Sequence, residues 1–573
     1  MAKARSWFLG GCLAVIAGMV FMFFMGRFLM APHVPGRAIL SLRFDGPIAE
    51  ITSEDPFAEI LGEQPLSLRD LRRALVAAAD DDRIVGVRVR MDSFGGGFAT
   101  AQEVRGLLRS VSRAGKWTAA YMDTAGEFTP GNMVYYVASA CDEVSMNSMG
   151  DLNLIGLSVR SPFIRGTLDR LEIRPEFPGR GAYKTARYLY TERDFTPEHR
   201  EMMEWLVDSL MGQITRDIAA ARDTTPEMVR EIIDRAPLLG SGAVDAGLVD
   251  KLEDWTEFNN RLKEKDDAGF VGLKPYLQGL RRPSLGQKIA VVTATGAIMR
   301  GKNGRNLNPL LGGEIMGSET ISTAWRKVRE TRGIKAVVFR IDSPGGSAVA
   351  SEIIRREMAR TAEDLPVVVS MSNLAASGGY WITCGARKIV AEPGTLTASI
   401  GVFGGHLNMD GFWRNKLGVT FGRLDAGKNA NIYGGLEDWN DGQRAIVDRM
   451  LDRIYDEFLD RVAASRGMTR EQVDAMARGR VFTGEQALEK GLVDALGGLD
   501  VAIAQAKELA GISPETAVTL VDFPKPEPWW KRMIEKGREV RAGTSAVEEL
   551  RQWWETGVLQ PPGVVWMPPV YIR

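Results

Sequence analysis

Apolar residues along this chain follow two different patterns. Short uninterrupted runs such as Leu365–Val369 predict buried strands, because the strands of a covered parallel sheet are apolar on both faces. In residues 440–465 the apolar residues recur at every fourth position, which predicts one face of a helix: Ile446, Met450, Ile454, Phe458 and Val462. Strands and helices of these kinds alternate along most of the chain. This alternation predicts an α/β fold, with a mainly parallel sheet covered by helices.

One apolar stretch is too long to fit either pattern. Residues 6–26 carry no charge and provide the ~20 residues that a helix needs to cross a bilayer. Lys3 and Arg5 precede the stretch, which favours a cytoplasmic tail with the rest of the chain on the far side. A cleaved signal peptide and a lipoprotein site at residues 9–12 fit the sequence less well. We therefore expect a cytoplasmic tail and a transmembrane anchor over residues 1–30.

Beyond the anchor the same sequence pattern occurs twice. Residues 37–48 match residues 287–298, a shift of 250 positions, and residues 85–97 match residues 335–347 with the same shift. Further matches continue at a slightly shorter spacing. A repeat of this length predicts two copies of one α/β domain.

The repeat also sets the predicted domain boundaries. We expect a first α/β domain over residues 37–261, a linker over residues 262–286 and a second α/β domain over residues 287–510. Residues 511–573 lie outside the repeat and contain five of the 13 tryptophans: Trp529, Trp530, Trp553, Trp554 and Trp566. This segment is expected to be an arm that packs against the body or a neighbouring subunit. Contact with a membrane surface is the alternative.

Composition narrows the choice of function. The 573 residues include 72 Lys+Arg and 73 Asp+Glu, so no excess of positive charge points to nucleic acid. Of the three cysteines, Cys12 lies in the anchor, and we expect Cys141 and Cys384 to be buried thiols. Histidine, the usual partner of a serine nucleophile, occurs only three times.

The stretch with the clearest chemical character is residues 373–384, NLAASGGYWITC, which follows a predicted strand. Its small residues predict a turn with Ser377 at the start of a helix, where backbone N–H groups can support a nucleophile. The first copy contains a similar turn, but Asn132 occupies the aligned position. Only the second copy therefore retains the hydroxyl.

A serine needs an adjacent base to act as a nucleophile. The second copy offers only His406 downstream, with no evident third group to orient it. A buried neutral lysine is the other solution, because desolvation can lower a lysine pKa by several units from ~10.4. Lys184 in GAYKTA and Lys428 in AGKNAN occupy corresponding positions of the two copies. Position alone leaves both lysines open.

Four motifs carry a resemblance to a known family: GAYKTA (181–186), RIDSPGGS (340–347), SMSNLAASGGYW (370–381) and LTASIGVFG (396–404). Together they resemble the long, tandem-repeat form of signal peptide peptidase A, or protease IV, a family of membrane-bound serine–lysine peptidases. The likeness runs from about residue 38 to residue 509. It implies that each copy has the α/β fold shared by the caseinolytic protease ClpP and the crotonases.

The resemblance also implies roles for individual residues. It makes Ser377 the nucleophile and Lys184, from the first copy, its general base. Ser399 would hydrogen-bond and orient the lysine amine, and Gly345 and Gly378 would provide the N–H donors of an oxyanion hole. No metal and no other cofactor are implied. From the sequence alone, Gly345 could instead serve a tight turn and Ser399 a helix cap.

The matching positions of the two copies are expected to have different roles. The turn of the first copy, with Asp92, Ser93 and Gly95–Gly97, is expected to preserve its shape without catalysis. In the implied geometry Lys428 would face Asn132 and would have no nucleophile to activate.

The function implied by the resemblance is hydrolysis of apolar peptides, such as cleaved signal peptides that remain in a membrane. It implies a homotetramer in the bacterial inner membrane, with a single span through residues 6–26 and the catalytic body on the periplasmic side. An acyl-CoA enzyme of the crotonase type and an inactive membrane scaffold are the alternatives.

Overall fold

The computed structural model describes residues 34–52, 65–280, 286–306, 313–525, 564–566 and 571–572. The predicted anchor over residues 6–26 lies outside these ranges. Among the helices that are described, none is both long and apolar enough to cross a bilayer.

The first half of the chain, up to residue 280, alternates strands with helices. Its strands are β1 (Ala38–Ala49), β2 (Leu66–Ser67), β3 (Ile84–Gly95), β4 (Trp117–Met122), β5 (Glu143–Met146), β6 (Asp151–Leu152), β7 (Val159–Arg160), β8 (Arg174–Glu176), β9 (Gly179–Arg180), β10 (Leu238–Leu239), β11 (Lys251–Leu252) and β12 (Gly269–Gly272). Its helices are α1 (Leu68–Asp80), α2 (Phe98–Arg113), α3 (Asn132–Ala138), α4 (Arg165–Arg170), α5 (Tyr188–Thr191), α6 (Pro197–Ala221), α7 (Pro226–Arg235), α8 (Gly240–Asp245), α9 (Trp255–Asp266) and α10 (Leu273–Gly279).

The second half, from residue 286, repeats this alternation. Its strands are β13 (Gln287–Thr295), β14 (Ala297–Met299), β15 (Gly304–Asn306), β16 (Gly313–Gly317), β17 (Ile334–Ser343), β18 (Gly345–Ser347), β19 (Val367–Ala376), β20 (Lys388–Ala391), β21 (Leu396–Ala398), β22 (Val402–Phe403), β23 (His406–Asn408), β24 (Val481–Thr483), β25 (Ala495–Leu496), β26 (Val518–Phe523), β27 (Val564–Trp566) and β28 (Tyr571–Ile572). Its helices are α11 (Ser318–Glu330), α12 (Ala348–Asp364), α13 (Gly378–Trp381), α14 (Asp441–Arg466), α15 (Arg470–Met476), α16 (Gly484–Glu489) and α17 (Leu499–Leu509).

The two halves form sheets with the same strand order. The first sheet runs β12–β1–β3–β4–β5–β11 with every pair parallel, and β2 lies beside β1. The second runs β26–β13–β17–β19–β20–β25, also parallel, and β21 and antiparallel β24 extend it beyond β19. The predicted mixed α/β fold in two copies is therefore confirmed.

The central strands of the second sheet are buried because they are mostly apolar on both faces. In β17 every residue from Ala336 to Ile341 is buried, and so is the run Val367–Met371 in β19. The helix predicted within residues 440–465 is present as α14. An Asn440 capping box begins it and left-handed Gly467 follows it, and both are common signals for helix ends. Cys141 and Cys384 are both buried free thiols, as predicted.

Short strands join the two halves near one end of the sheets. β8 pairs antiparallel with β23, and β9 pairs antiparallel with β22. Arg180 of β9 also donates to Asp448 of α14, with 3.0 Å between the side-chain atoms. Through these contacts residues 174–180 of the first half pack against the second half, directly before residue 181.

Regular structure continues into segments that the sequence assigns to the linker and the C-terminal arm. Within residues 262–286, β12 pairs with β1 at the edge of the first sheet, and α10 follows it. Within residues 511–573, β26 pairs with β13. The arm also contributes β27, which pairs antiparallel with β18, and β28, which pairs antiparallel with β7.

Candidate active site

Ser377 lies at the junction between β19 and the short helix α13. Its backbone has φ 57° and ψ −116°, a conformation that non-glycine residues rarely adopt and that is typical of strained functional sites. The Ser377 N–H donates to the carbonyl of Ala398 at 2.6 Å, which holds the turn against β21. The side chain is fully buried.

The glycines after Ser377 let the turn approach its neighbours. A Cβ placed on Gly379 would lie 2.7 Å from the carbonyl oxygen of Ser343, and one on Gly378 would lie 2.7 Å from Ser351 Oγ. Such distances are closer than a methyl group tolerates. The predicted small-residue turn is therefore required by close packing against the strand and helix of the DSPGG motif.

Lys184 enters the same site from the first half. Its neighbour Tyr183 donates its N–H to the carbonyl of Arg478 at 2.8 Å, so the segment is fixed to the second half. Gly479 makes room for the lysine, because a Cβ there would lie 2.4 Å from the Lys184 nitrogen. The Lys184 side chain is only 1% exposed.

The lysine amine has three partners at hydrogen-bonding distance. Lys184 Nζ lies 2.5 Å from Ser377 Oγ, 3.0 Å from Ser399 Oγ and 2.9 Å from the carbonyl oxygen of Ser399. A neutral amine has two N–H donors and one lone pair. It can donate to both oxygens of Ser399 and accept the hydroxyl proton of Ser377, so all three contacts suit the uncharged form.

Burial determines the protonation of this amine. Desolvation lowers the pKa of Lys184 well below its ordinary value, because the buried site disfavours the ammonium form. None of its three hydrogen-bonding partners is a carboxylate that would oppose the shift. A lysine with these properties can accept a proton near neutral pH.

Ser399 is held in position by its own strained turn. Ala398 and Ser399 have φ values of 63° and 52°, and the Ser399 N–H donates to the carbonyl of Arg480 at 2.9 Å. Two consecutive non-glycine residues with positive φ are uncommon, and such strain persists only where the surroundings hold it. The turn presents both oxygens of Ser399 to Lys184.

The two glycines predicted for an oxyanion hole lie side by side. A Cβ on Gly378 would lie 3.1 Å from the Gly346 nitrogen and 3.3 Å from Gly345 Cα. The Gly345 N–H, however, donates to Ser343 Oγ at 3.2 Å. An incoming oxyanion would have to replace this internal acceptor. The sequence did not single out Ser343 individually, although it belongs to the DSPGG motif.

Other candidates from the sequence lie in different surroundings. His406 Nε2 is 3.3 Å from Glu176, and its ring lies against Trp439, so it is not placed to serve Ser377. Lys428 is exposed on a turn. The side chain of Asn132 forms hydrogen bonds with the backbone of Ile155 and Gly156 in its own half.

A cavity of about 510 Å³ opens beside the turn. Its lining includes Ser347, which follows the glycine pair, and Trp381, the last residue of α13. The apolar part of the remaining wall comes from α14 and α12, and charged side chains of both helices also line the cavity: Val447, Met450, Leu451, Ile454, Ala348, Val349 and Ile353, with Glu352, Arg356, Arg453, Glu457 and Arg461. The four-residue periodicity that predicts α14 could have indicated this wall, but not that it faces the site.

No group of acidic, histidine or cysteine side chains in the described ranges could hold a metal ion. A buried serine beside a buried amine, in a parallel α/β fold, is an arrangement typical of hydrolases that use a serine nucleophile.

Comparison with known proteins identifies the family. The model of peptidase family S49 matches twice, over residues 115–269 and 359–513. Three relatives are similar over most of the chain. The Serine protease SPPA, chloroplastic, of Arabidopsis thaliana is 32% identical over 80% of this chain and 68% of its own. Protease 4 of Haemophilus influenzae is 30% identical over 84% and 80%, and Protease 4 of Salmonella typhi is 32% identical over 78% and 72%.

A solved structure of a mutant ClpP1 from Listeria monocytogenes covers 37% of this chain and 94% of its own, at 15% identity and a TM-score of 0.23. That score is too low to add to the strand order and the family match. The chain belongs to peptidase family S49, with two copies of the family's domain in tandem, and is a serine peptidase.

Proposed function

We propose that this peptidase cleaves apolar peptides with a dyad formed by Ser377 and Lys184. The observation that carries the proposal is the 2.5 Å contact between Lys184 Nζ and Ser377 Oγ in a fully buried setting. Each half supplies one member of the dyad, so a single chain brings both to the site.

The reaction runs through an acyl-enzyme. Neutral Lys184 accepts the hydroxyl proton while Ser377 Oγ attacks the peptide carbonyl, and the carbonyl oxygen becomes an oxyanion. The N–H groups of Gly378 and Gly345 stabilise that charge. The lysine then gives its proton to the departing amine, and the C–N bond breaks. Lys184 next takes a proton from water, which attacks the ester, and returns it to Ser377.

The surroundings of the dyad support an extended apolar substrate. The edge of β18, which contains Gly345, pairs antiparallel with residues 564–566 of the same chain, so it accepts a peptide strand through backbone hydrogen bonds. The apolar part of the cavity beside Ser347 offers space for large side chains. Cleaved signal peptides are extended apolar segments of this kind.

An anchor over residues 6–26 would hold the enzyme where such peptides remain after precursor cleavage. In this proposal the chain spans the bacterial inner membrane once, and its catalytic body lies on the periplasmic side. Four chains assemble, as the resemblance to the long form implies. A protein named Putative signal peptide peptidase SppA, from Enterococcus faecium, is 32% identical over 36% of this chain.

Family membership favours a peptidase over an acyl-CoA enzyme, and the buried contact of Ser377 with Lys184 favours an active site over an inactive scaffold.

The proposal is tested with the purified full chain in detergent, incubated with a synthetic signal peptide and with a charged peptide of equal length. Mass spectrometry of the products should give faster cleavage of the apolar peptide and no cleavage by Ser377→Ala. Equal cleavage by the wild type and Ser377→Ala would reject the proposed nucleophile, and preference for the charged peptide would reject the substrate class.

A further inference from the structure

The strand that leads to Ser377 is not regular. Along β17 and β19, Ile341 pairs with Met371, but the next pair is Ser343 with Ala375. Only Asp342 separates the two pairs on β17, whereas residues 372–374 separate them on β19. These three residues form a bulge directly before Ala375–Ser377. Bulges next to active sites change the direction of the strand that follows and so re-aim its side chains.

Asp342, on the neighbouring strand β17 of the same half, holds this bulge. Its Oδ1 accepts the N–H of Leu374 at 2.9 Å, and Asn373 Nδ2 lies 3.4 Å from its Oδ2. The carboxylate therefore binds a backbone group that has no partner in the β17–β19 ladder, while Leu374 pairs on its other side with Leu396 of β21. Asn373 connects the same carboxylate to the other half of the chain.

Asn373 also caps a helix of the first half. Helix α2 starts after Gly97, and glycine has no side chain that could accept the free N–H groups of the first turn. Asn373 Oδ1 accepts the N–H of Thr100 at 3.0 Å, and Asn373 Nδ2 donates to Thr100 Oγ1 at 2.8 Å. A side chain from the second half thus occupies the position of an N-cap residue.

The corresponding helix of the second half does not need this help. Ser347, at the position aligned with Gly97, caps α12 by accepting the N–H of Ala350 at 3.3 Å. A Cβ on Gly97 would lie 2.2 Å from Asn373 Oδ1, so the first half has room for the asparagine only because residue 97 is glycine. The glycine at residue 97 therefore both removes the local cap of α2 and leaves the space in which Asn373 replaces it.

We propose that Asn373 is a positioning residue, through which the glycine turn of the first half holds the bulge that aims Ser377 at Lys184. This inference rests on the proposed function of Ser377. It gives the Gly95–Gly97 turn a part in catalysis, although the turn touches no reacting atom. The sequence predicts only that this turn keeps its shape.

The first test is Asn373→Ala in the full chain. The expected result is a fall in kcat of about 10- to 100-fold with KM nearly unchanged, because small misplacements of a nucleophile have effects of this size. The rate at which a fluorophosphonate labels Ser377 should fall in parallel. An unchanged kcat would overturn the proposal. Failure of the wild type to label at all would instead reject the proposed function.

A second variant separates positioning from simple helix capping. Asn373→Ala combined with Gly97→Ser gives α2 its own cap, as Ser347 does for α12. The new Cβ at residue 97 would have the Cβ of residue 373 as its closest neighbour, at 3.0 Å. The double variant should recover the thermal stability lost in Asn373→Ala but not the kcat. Recovery of both would reduce Asn373 to a structural cap.

Thr225→Ala is the matched control. Thr225 caps α7 of the first half by accepting the N–H of Met228 at 3.2 Å. Its loss should lower the melting temperature and leave kcat unchanged.

If Asn373→Ala does not fold, Thr100→Val is the alternative variant. It keeps the hydrogen bond from the Thr100 N–H to Asn373 Oδ1 and removes the 2.8 Å bond from Asn373 Nδ2 to Thr100 Oγ1. It should lower kcat several-fold, and an unchanged kcat in this variant would also count against the proposal.

Discussion

The two halves share a strand order but use the turn after their central strands differently. In the first half, Asn132 closes its own loop: its Nδ2 donates to the carbonyl of Gly156 at 2.7 Å, and its Oδ1 accepts the N–H groups of Ile155 and Gly156 at 2.9 and 3.2 Å. In the second half, Ser377 makes a 2.5 Å contact with Lys184 of the other half.

The backbone differs in the same way. Asn132, the residue aligned with Ser377, begins α3 and is not among the described non-glycine residues with positive φ, whereas Ser377 has φ 57°. Strain of this kind costs of order 1–3 kcal/mol and persists only where the surroundings hold it. The comparison indicates that the fold itself does not demand the strained turn. At this aligned position the strain occurs only in the half whose side chain contacts a partner from the other half.

The largest expected effect distinguishes the two aligned lysines. Lys184→Met should lower kcat/KM for an apolar peptide by roughly 10⁴-fold or more, as loss of a base does in other serine peptidases. Lys428→Met, the matched control, should retain wild-type activity because Lys428 is exposed. Steady-state cleavage assays measure both. Activity lost in the control and kept in Lys184→Met would reverse the assignment.

Moving the serine hydroxyl from residue 377 to residue 132 in the first half should not create an active site there. The double variant Asn132→Ser with Ser377→Ala should remain inactive, because a serine alone lacks a buried base. It should also unfold more easily than Ser377→Ala, by about 1 kcal/mol, since the N–H groups of Ile155 and Gly156 lose their hydrogen-bond acceptor. Cleavage assays and denaturant unfolding measure the two effects. Activity in the double variant would mean that the halves are chemically equivalent.

The third prediction concerns pH. Only neutral Lys184 accepts the serine proton, so kcat/KM should rise about tenfold per pH unit below the pKa of this lysine and level off above it. Because burial lowers that pKa, the plateau should begin below ~10.4, the ordinary lysine value.

The same shift affects stability. Between the folded and unfolded pKa values of Lys184 the unfolded chain binds more protons, so this group makes the free energy of unfolding rise with pH over that window. A pH profile of kcat/KM that rises only near the ordinary lysine pKa would contradict a buried neutral base.

The smallest expected effect concerns the arm. A peptide substrate that binds at the edge of β18, as we propose, must displace residues 564–566, which pair with that strand. A chain that ends at residue 563 should therefore show a KM lowered several-fold with kcat little changed. The control is a chain that ends at residue 570, which loses the pairing of β28 with β7 but keeps that of β27. An unchanged KM in the shorter chain would argue against substrate binding at this edge.

The sequence predicts the fold well because apolar runs and the long repeat are strong signals. It predicts less where single short contacts decide the geometry. β8 and β9, which guide Lys184 to the site, have three and two residues, too few for a periodic pattern. The edge strands β12 and β26 fall in segments predicted as linker and arm, because their pairing partners are distant in sequence.

For the candidate site too, the sequence predicts some features and not others. The turn around Ser377 is visible in the sequence, whereas the choice of Lys184 over Lys428 depends on the family resemblance. Their difference in burial, which gives this choice a physical reason, exists only in the folded chain. The contact between Asn373 and Gly97 leaves no local signal, because it joins residues of different halves.

The most direct test of the cross-repeat dyad is intact-mass detection of a fluorophosphonate adduct on the purified chain at neutral pH. We expect one adduct per chain, on Ser377, at similar rates in the wild type and Lys428→Met. We expect almost none in Lys184→Met, and none in Ser377→Ala. Rapid labelling of Ser377 in Lys184→Met would contradict the central claim, because the serine would then be activated without the lysine of the first half.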